Sequence, residues 1–311
     1  MAQTAPLPDA APTNWVDRFA PAGLRPWLKL GRFDRPTGIW LLMLPGWQGI
    51  ALAAAERGAR PDWRLLLAFF AGAALMRAAG CAYNDIVDRH IDAKVARTAG
   101  RPIPSGQISV KQAWGFIAGC CLVALAILLS FPPLAIGLGV GSLALVAAYP
   151  FMKRITWWPQ AWLGLTFNWG ALLGYAAATG NLSLAALFLY AHGVFWTLGY
   201  DTIYAVQDLE DDALAGVKSS ARRLGSKVKP AVLGFYAVAV ALALAAGFIA
   251  ELGWGFYAIA ALYALRLAEQ GLKVRTDRPQ LALRLFKANT WAGLVLFAAI
   301  VAGSYVFRPH L

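Results

Sequence analysis

The sequence predicts an all-α fold: a polytopic membrane bundle of nine transmembrane helices, two four-helix halves plus a ninth helix. Three observations predict it. Of 311 residues, 59% are apolar and only 14% charged, where soluble domains carry about a quarter charged. Apolar runs of about twenty residues recur along the chain, the length that crosses about 30 Å of hydrocarbon at 1.5 Å per residue. Two acidic clusters end the second and sixth of these runs, an equivalent placement in the two halves.

Taken in order, residues 1–30 read as an N-terminal tail and interfacial segment, and 31–308 as the transmembrane domain. Pro6, Pro8 and Pro12 mark an Ala-rich tail, and 15–30 a short helix at the membrane surface. The predicted spans are 37–55, 65–83, 113–131, 133–150, 157–179, 182–206, 230–250, 254–271 and 290–307. Of the 28 Lys and Arg, 23 fall on one side of this arrangement and four on the other, with Arg77 inside a span. Positive charge marks the cytoplasmic face. The N-terminus and both acidic clusters are therefore expected there, with the C-terminus periplasmic. The net charge of +12 is explained by these loops and requires no nucleic acid. The first twenty residues hold one Arg and two Asp without an apolar core. They fit neither a secretory signal nor an Arg-rich transit peptide, so a bacterial inner membrane is the expected location.

Cys81, Cys120 and Cys121 lie in apolar runs without metal-like spacing and read as small core residues. His90, His192 and His310 are scattered, no Ser/His/Asp arrangement is suggested, and there is no phosphate-binding Gly-x-x-x-x-Gly-Lys loop. The chemistry lies in the acids. Eight of the sixteen occur in two places: Asp85, Asp88 and Asp92, then Asp201, Asp208, Glu210, Asp211 and Asp212. If the second span continues as helix, Asn84, Asp88 and Asp92 fall one turn apart on one face with Asp85 beside them. Such oxygens at the edge of a low-dielectric medium repel one another unless a cation joins them, and they are the hard donors Mg²⁺ prefers. Asp201, Tyr204, Asp208 and Asp211 or Asp212 repeat the 3–4 spacing. Arg97 and Arg101 follow the first cluster, Tyr149, Lys153 and Arg154 end the fourth span, and Lys218, Arg222 and Arg223 follow the second cluster. An anion held by Mg²⁺ beside carboxylates needs such cations on its outer oxygens, and diphosphate is an anion of that kind.

At these residues the chain resembles the membrane-bound aromatic prenyltransferases that attach polyisoprenoid tails to quinone precursors. The family's Asn-Asp-x-x-Asp-x-x-x-Asp motif is matched by Asn84, Asp85, Asp88 and Asp92, and its Asp-x-x-x-Asp motif by Asp208 and Asp212. Within the family the chain looks most like the branch that acts on 4-hydroxybenzoate in ubiquinone biosynthesis. The stretches suggesting this begin at Arg35-Pro36-Thr37-Gly38, Met76-Arg77-Ala78, Gly100-Arg101-Pro102, Tyr149-Pro150-Phe151 and Tyr200-Asp201-Thr202. The resemblance implies Mg²⁺ ions on Asn84/Asp88 and Asp208/Asp212, with Asp85 and Asp92 assisting, that bind a polyprenyl diphosphate in the lipid bilayer. It implies Arg97, Arg101, Tyr149, Lys153 and Tyr175 on the diphosphate, and Arg35, Arg77 or Arg154 on the acceptor's carboxylate. Asp208 or Asp201 would take the ring proton or orient the phenol. Other acceptors (a naphthoate, homogentisate, haem) remain open at this stage. So does a cation-coupled transporter, although unbroken spans and acids at helix ends rather than the midplane argue against that reading.

Overall fold

The computed structural model describes residues 14–94, 98–214 and 216–304, for Asp211 the backbone alone. The proline-marked tail, Arg97 and His310 lie outside them. Two short helices, α1 (Trp15–Phe19) and α2 (Arg25–Leu30), replace the single interfacial helix expected over 15–30. Pro21 separates them, and Asn14 caps α1 by accepting from the Asp17 amide.

Long helices follow at every predicted span: α3 (Thr37–Ala55), α4 (Trp63–Asp92), α5 (Val110–Leu128), α6 (Pro133–Ile155), α7 (Pro159–Thr179) and α8 (Leu184–Ala205). After the short α9 (Leu209–Leu214) and α10 (Ser220–Leu224) come α11 (Val228–Ile249), α12 (Trp254–Lys273) and α13 (Pro279–Gly303). No strand occurs among the described residues. Among the described residues six helices are long and apolar enough to cross a membrane by length and composition, so the expected count of nine is not reached by that measure; α7, α8 and α12 fall outside it. Boundaries move where local chemistry overrides hydropathy. A capping box between Ser109 and Gln112 starts α5 early, and α6 runs through the buried Pro150 at which the span was expected to stop.

The chain groups into two compact units, one of residues 1–40 and 71–130, the other of 41–70 and 131–311. This grouping does not follow the halves read from the sequence, because α3 and α4 each divide between the units. In the first, Leu30 of α2, Ala82 and Ile86 of α4, and Ile103 and Ile108 of the following loop form a buried cluster. Ile103 and Ile108 thus anchor the loop that carries Arg101. In the second, α8 packs against α7, α11 and α13. Gly46, Gly49, Gly170 and Gly174 bring α3 and α7 into backbone contact; a Cβ on Gly174 would stand 2.3 Å from the Gly46 carbonyl oxygen.

Several polar side chains in this apolar interior satisfy one another, which a medium without water favours. Asn168 donates to Thr197 (2.7 Å), Trp196 to Asn289 (2.8 Å), and both Asn289 and Tyr236 donate to Gln270 (2.8 and 3.0 Å). Outward faces of α5 and α6 instead present Leu122, Val123, Leu125, Val140 and Leu143, the surface a lipid-facing helix needs.

Candidate active site

Helix α4 continues without a break from its apolar run through Asp92, so the first motif lies on one helix as its spacing predicts. At about 100° per residue, Asn84, Asp88 and Asp92 step round one face about 40° apart, and Asp85 falls about 20° beyond Asp92. Asp85 and Asp88 are fully buried and Asp92 nearly so.

Asp85 and Asp92, at one edge of this face, meet arginines. Arg32 Nη2 donates to Asp85 Oδ1 at 2.6 Å, and Arg101 Nη1 donates to the same oxygen at 3.3 Å and to Asp92 Oδ2 at 2.8 Å. One guanidinium nitrogen thereby joins two carboxylates whose backbone positions are about 10 Å apart along the helix. Backbone bonds set Arg101 in place: Thr98 Oγ1 donates to the Asp92 carbonyl at 2.8 Å, and the Arg101 amide to the Thr98 carbonyl at 3.0 Å.

Arg32 was not singled out from the sequence. It takes a left-handed backbone conformation, φ 61°, which costs a side-chain-bearing residue about 1–2 kcal/mol. The residue is buried. Burial opposes its charge, but Asp85 foremost among its neighbours raises its pKa above the ordinary value. Asp34 was also missed. Its carboxylate is buried, has no hydrogen-bond donor among the described residues, and stands 3.5 Å from Arg35 Nε. Burial raises its pKa, opposed by Arg35 and then Arg32. The visible signal was the alternation Arg32-Phe33-Asp34-Arg35 immediately before a span.

Two of the expected acceptor arginines, Arg35 and Arg77, belong to this first unit. The Arg77 guanidinium lies on Gly38, three residues after Arg35; a Cβ there would be 2.7 Å from Arg77 Nε. Gly38 is what makes room for that charge at the start of α3. The third, Arg154, is exposed in the other unit with its guanidinium 5.9 Å from the Phe151 ring.

The second motif is built differently. Helix α8 ends at Ala205, a 3₁₀ turn covers Val206–Asp208, and α9 begins at Leu209. This turn interrupts the continuous face expected to join Asp201, Tyr204, Asp208 and Asp212. Hydrogen bonds from the following loop hold the segment. The Ser220 amide donates to Gln160 Oε1 (3.0 Å), Ser220 Oγ pairs with Thr202 Oγ1 (2.7 Å), and Arg222 Nη1 donates to the Asp212 carbonyl (3.1 Å) and to that of Val217. The Lys218 amide donates to the Lys153 carbonyl (2.9 Å), which brings the end of α6, and with it Tyr149 and Lys153, to the loop after this motif. Asp201, Asp208 and Asp212 are each part-exposed.

Tyr175 is a correction. Its hydroxyl donates to Glu56, which also accepts from Ser183 Oγ at 3.2 Å. It lies about 24 Å along α7 from Pro159, the end nearest Lys153, and so does not join the expected diphosphate cations. Arg97 is outside the described residues. Among those residues, no three His, Cys, Asp or Glu side chains are grouped to hold a metal.

Hard oxygen donors on the end of an apolar helix, with guanidinium groups from the flanking loops against them, define a membrane protein suited to a divalent cation and an anion. A model of the UbiA prenyltransferase family matches residues 42–306. The 4-hydroxybenzoate polyprenyltransferase, mitochondrial, of Arabidopsis thaliana is 44% identical over 291 residues, covering 93% of this chain and 71% of that one. The protein of the same name from Homo sapiens is 46% identical over 286 residues, 92% of this chain and 77% of its own. The apo structure of a UbiA homolog from Aeropyrum pernix K1 superposes with TM-score 0.72 at 28% identity, over 84% of this chain and 96% of that one. A UbiA homolog from Archaeoglobus fulgidus, bound to GPP and Mg²⁺, shares the fold with TM-score 0.64 at 17% identity, over 89% and 99%.

The chain belongs to the UbiA prenyltransferase family, and it is a prenyltransferase. The transporter reading falls with that membership. The relatives are mitochondrial proteins of eukaryotes, which overturns the expected bacterial inner membrane with its cytoplasmic and periplasmic faces; membrane association stands.

Proposed function

We propose that the protein transfers a polyprenyl group from polyprenyl diphosphate to the carbon ortho to the hydroxyl of 4-hydroxybenzoate, with Mg²⁺. The observation that carries this reading is the family's two acidic motifs standing intact in a chain 44–46% identical to relatives so named. The donor set fits the ion. Asn84 and Asp88 share one face of α4, Asp88 fully buried, and Asp208 and Asp212 supply the second set. Mg²⁺ keeps waters and takes phosphate oxygens, so incomplete protein shells suffice. When bound, Mg²⁺ disperses the charge of the departing diphosphate.

This chain's own groups do the rest. The family resemblance gives Arg101, Lys153 and Tyr149 the outer diphosphate oxygens as the allylic C–O bond breaks, an electrostatic role that grows as charge develops. Arg77, against Gly38, and Arg35 hold the acceptor carboxylate and orient the ring, whose carbon attacks the allylic cation. Asp208 or Asp201 takes the ring proton. Apolar helix faces let the isoprenoid tail lie in lipid.

The test is incubation of membranes holding the protein with Mg²⁺, labelled geranyl diphosphate and a panel of aromatic acids. Ring-prenylated 4-hydroxybenzoate is the expected product. Label on a naphthoate or homogentisate instead, with none on 4-hydroxybenzoate, refutes the acceptor; no prenylated product from any acceptor refutes the reaction.

A further inference from the structure

We infer that Asp85 is a positioning residue and not a metal ligand: Asp85, with Asp92, holds Arg32 and Arg101 so that Arg101 presents its remaining donors to the substrate diphosphate. The inference rests on the proposed reaction and assigns a different task to one residue of its first motif.

Four observations carry it. First, Asp85 Oδ1 already accepts from two guanidinium groups, at 2.6 and 3.3 Å, and the Asp85 side chain has no solvent exposure. Its Oδ2 has no hydrogen-bond partner among the described residues. A divalent cation brought to that oxygen would stand against two fixed positive charges in a medium that screens them weakly, so Oδ2 is a poor metal ligand. Second, the motif fans over about 100° of α4 in the order Asn84, Asp88, Asp92, Asp85, so Asp85 stands furthest from Asn84, and with Asp92 it meets a single nitrogen of Arg101. Third, only Nη1 of Arg101 is engaged among the described residues, its side chain being 15% exposed. Nε and Nη2 remain as a planar pair of donors, the geometry that suits phosphate oxygens. Fourth, Arg32 reaches Asp85 from a left-handed backbone position, a strained conformation that persists only where its surroundings hold it. In charge terms, Arg32 and Arg101 neutralise Asp85 and Asp92.

The experiment uses the full chain in liposomes, with Mn²⁺ as the paramagnetic probe for Mg²⁺. Mn²⁺ binding is counted by electron paramagnetic resonance in the wild type, Asp85→Asn and Asp88→Asn, and transfer kinetics are measured in parallel. For Asp85→Asn, Mn²⁺ stoichiometry and the Mg²⁺ half-saturation of transfer are expected to match the wild type, while KM for geranyl diphosphate rises about ten-fold. Asp88→Asn is expected to lose bound Mn²⁺. Arg101→Lys, which keeps the charge and loses the fork, should raise the same KM without changing Mn²⁺ binding, and it carries the test if Asp85→Asn does not fold. Loss of a Mn²⁺ ion in Asp85→Asn to the extent seen in Asp88→Asn overturns the inference, as does an unchanged diphosphate KM in Arg101→Lys. Failure of the wild type to transfer any prenyl group refutes the reaction itself; the Mn²⁺ counts then still decide whether Asp85 is a ligand.

Discussion

The two acidic motifs offer the same side chains on two different backbones. The first stands on an unbroken helix and is organised by side-chain ion pairs, Arg32 and Arg101 on Asp85 and Asp92. The second stands where helix gives way to a 3₁₀ turn, and hydrogen bonds to its own backbone and loop hold it: Arg222 on the Asp212 carbonyl and Gln160 on the Ser220 amide. A rigid face with fixed counter-charges can fix individual carboxylates. A loop fastened by hydrogen bonds fixes the course of the chain that carries its carboxylates. The pair teaches that a short motif specifies donor chemistry, while what orders the donors is written elsewhere in the chain.

The comparison can be broken outright at the carboxylates proposed to hold Mg²⁺. Asp88→Ala and Asp212→Ala should each lower transfer by about 10³-fold or more, read as labelled product, with helical circular dichroism and membrane extraction unchanged. Full activity in either would remove that motif from the chemistry. Next in size is the acceptor side of the first unit. Arg77→Ala should raise KM for 4-hydroxybenzoate about 30-fold, the worth of a charge-assisted bond, and leave KM for the diphosphate alone.

The hydrogen-bonded motif has its own weak point. Gln160→Leu leaves the buried Ser220 amide without its acceptor, a loss of about 1–3 kcal/mol. It should cut kcat by about ten-fold while Mn²⁺ binding at Asn84/Asp88 is unaltered, which kinetics and resonance together would read. Tyr175→Phe sharpens the contrast from outside both motifs: KM and kcat should stay within about two-fold, with stability lowered by about 1 kcal/mol from the lost bond to Glu56, measured by thermal melt in detergent.

The smallest effect is a pH dependence at Asp34. Its raised pKa means the folded state favours the protonated acid. Its contribution to stability is therefore full below the ordinary carboxylate range and lost as pH rises through the raised value. Asp34→Asn should flatten the acid side of the stability profile, and an unchanged slope would contradict the burial argument.

How much of this was legible in the sequence differs between the same two regions. Span positions followed from hydropathy and length, and the face of Asn84, Asp88 and Asp92 followed from period, because nothing in α4 competes with helix through Asp92. The same period misled at Asp208, where a 3₁₀ turn ends α8 after Ala205 although no Pro or Gly marks the break. Arg32 was hidden because a positive φ on a non-glycine leaves no compositional trace. Its partner, Asp85, is 53 residues away, beyond any local pattern. Tyr175 was placed with the diphosphate by resemblance, yet its bond to Glu56 spans 119 residues and lies at the far end of its helix. Pro150 shows the converse error, a helix-breaking residue accommodated inside α6.

The central claim is that each acidic motif holds a divalent cation required for transfer. Counting Mn²⁺ per chain in the presence of geranyl diphosphate tests it most directly. The wild type should bind a pair of ions, with one fewer in Asp88→Asn and one fewer in Asp212→Asn, each in step with lost transfer. Wild-type stoichiometry in both variants would contradict the account.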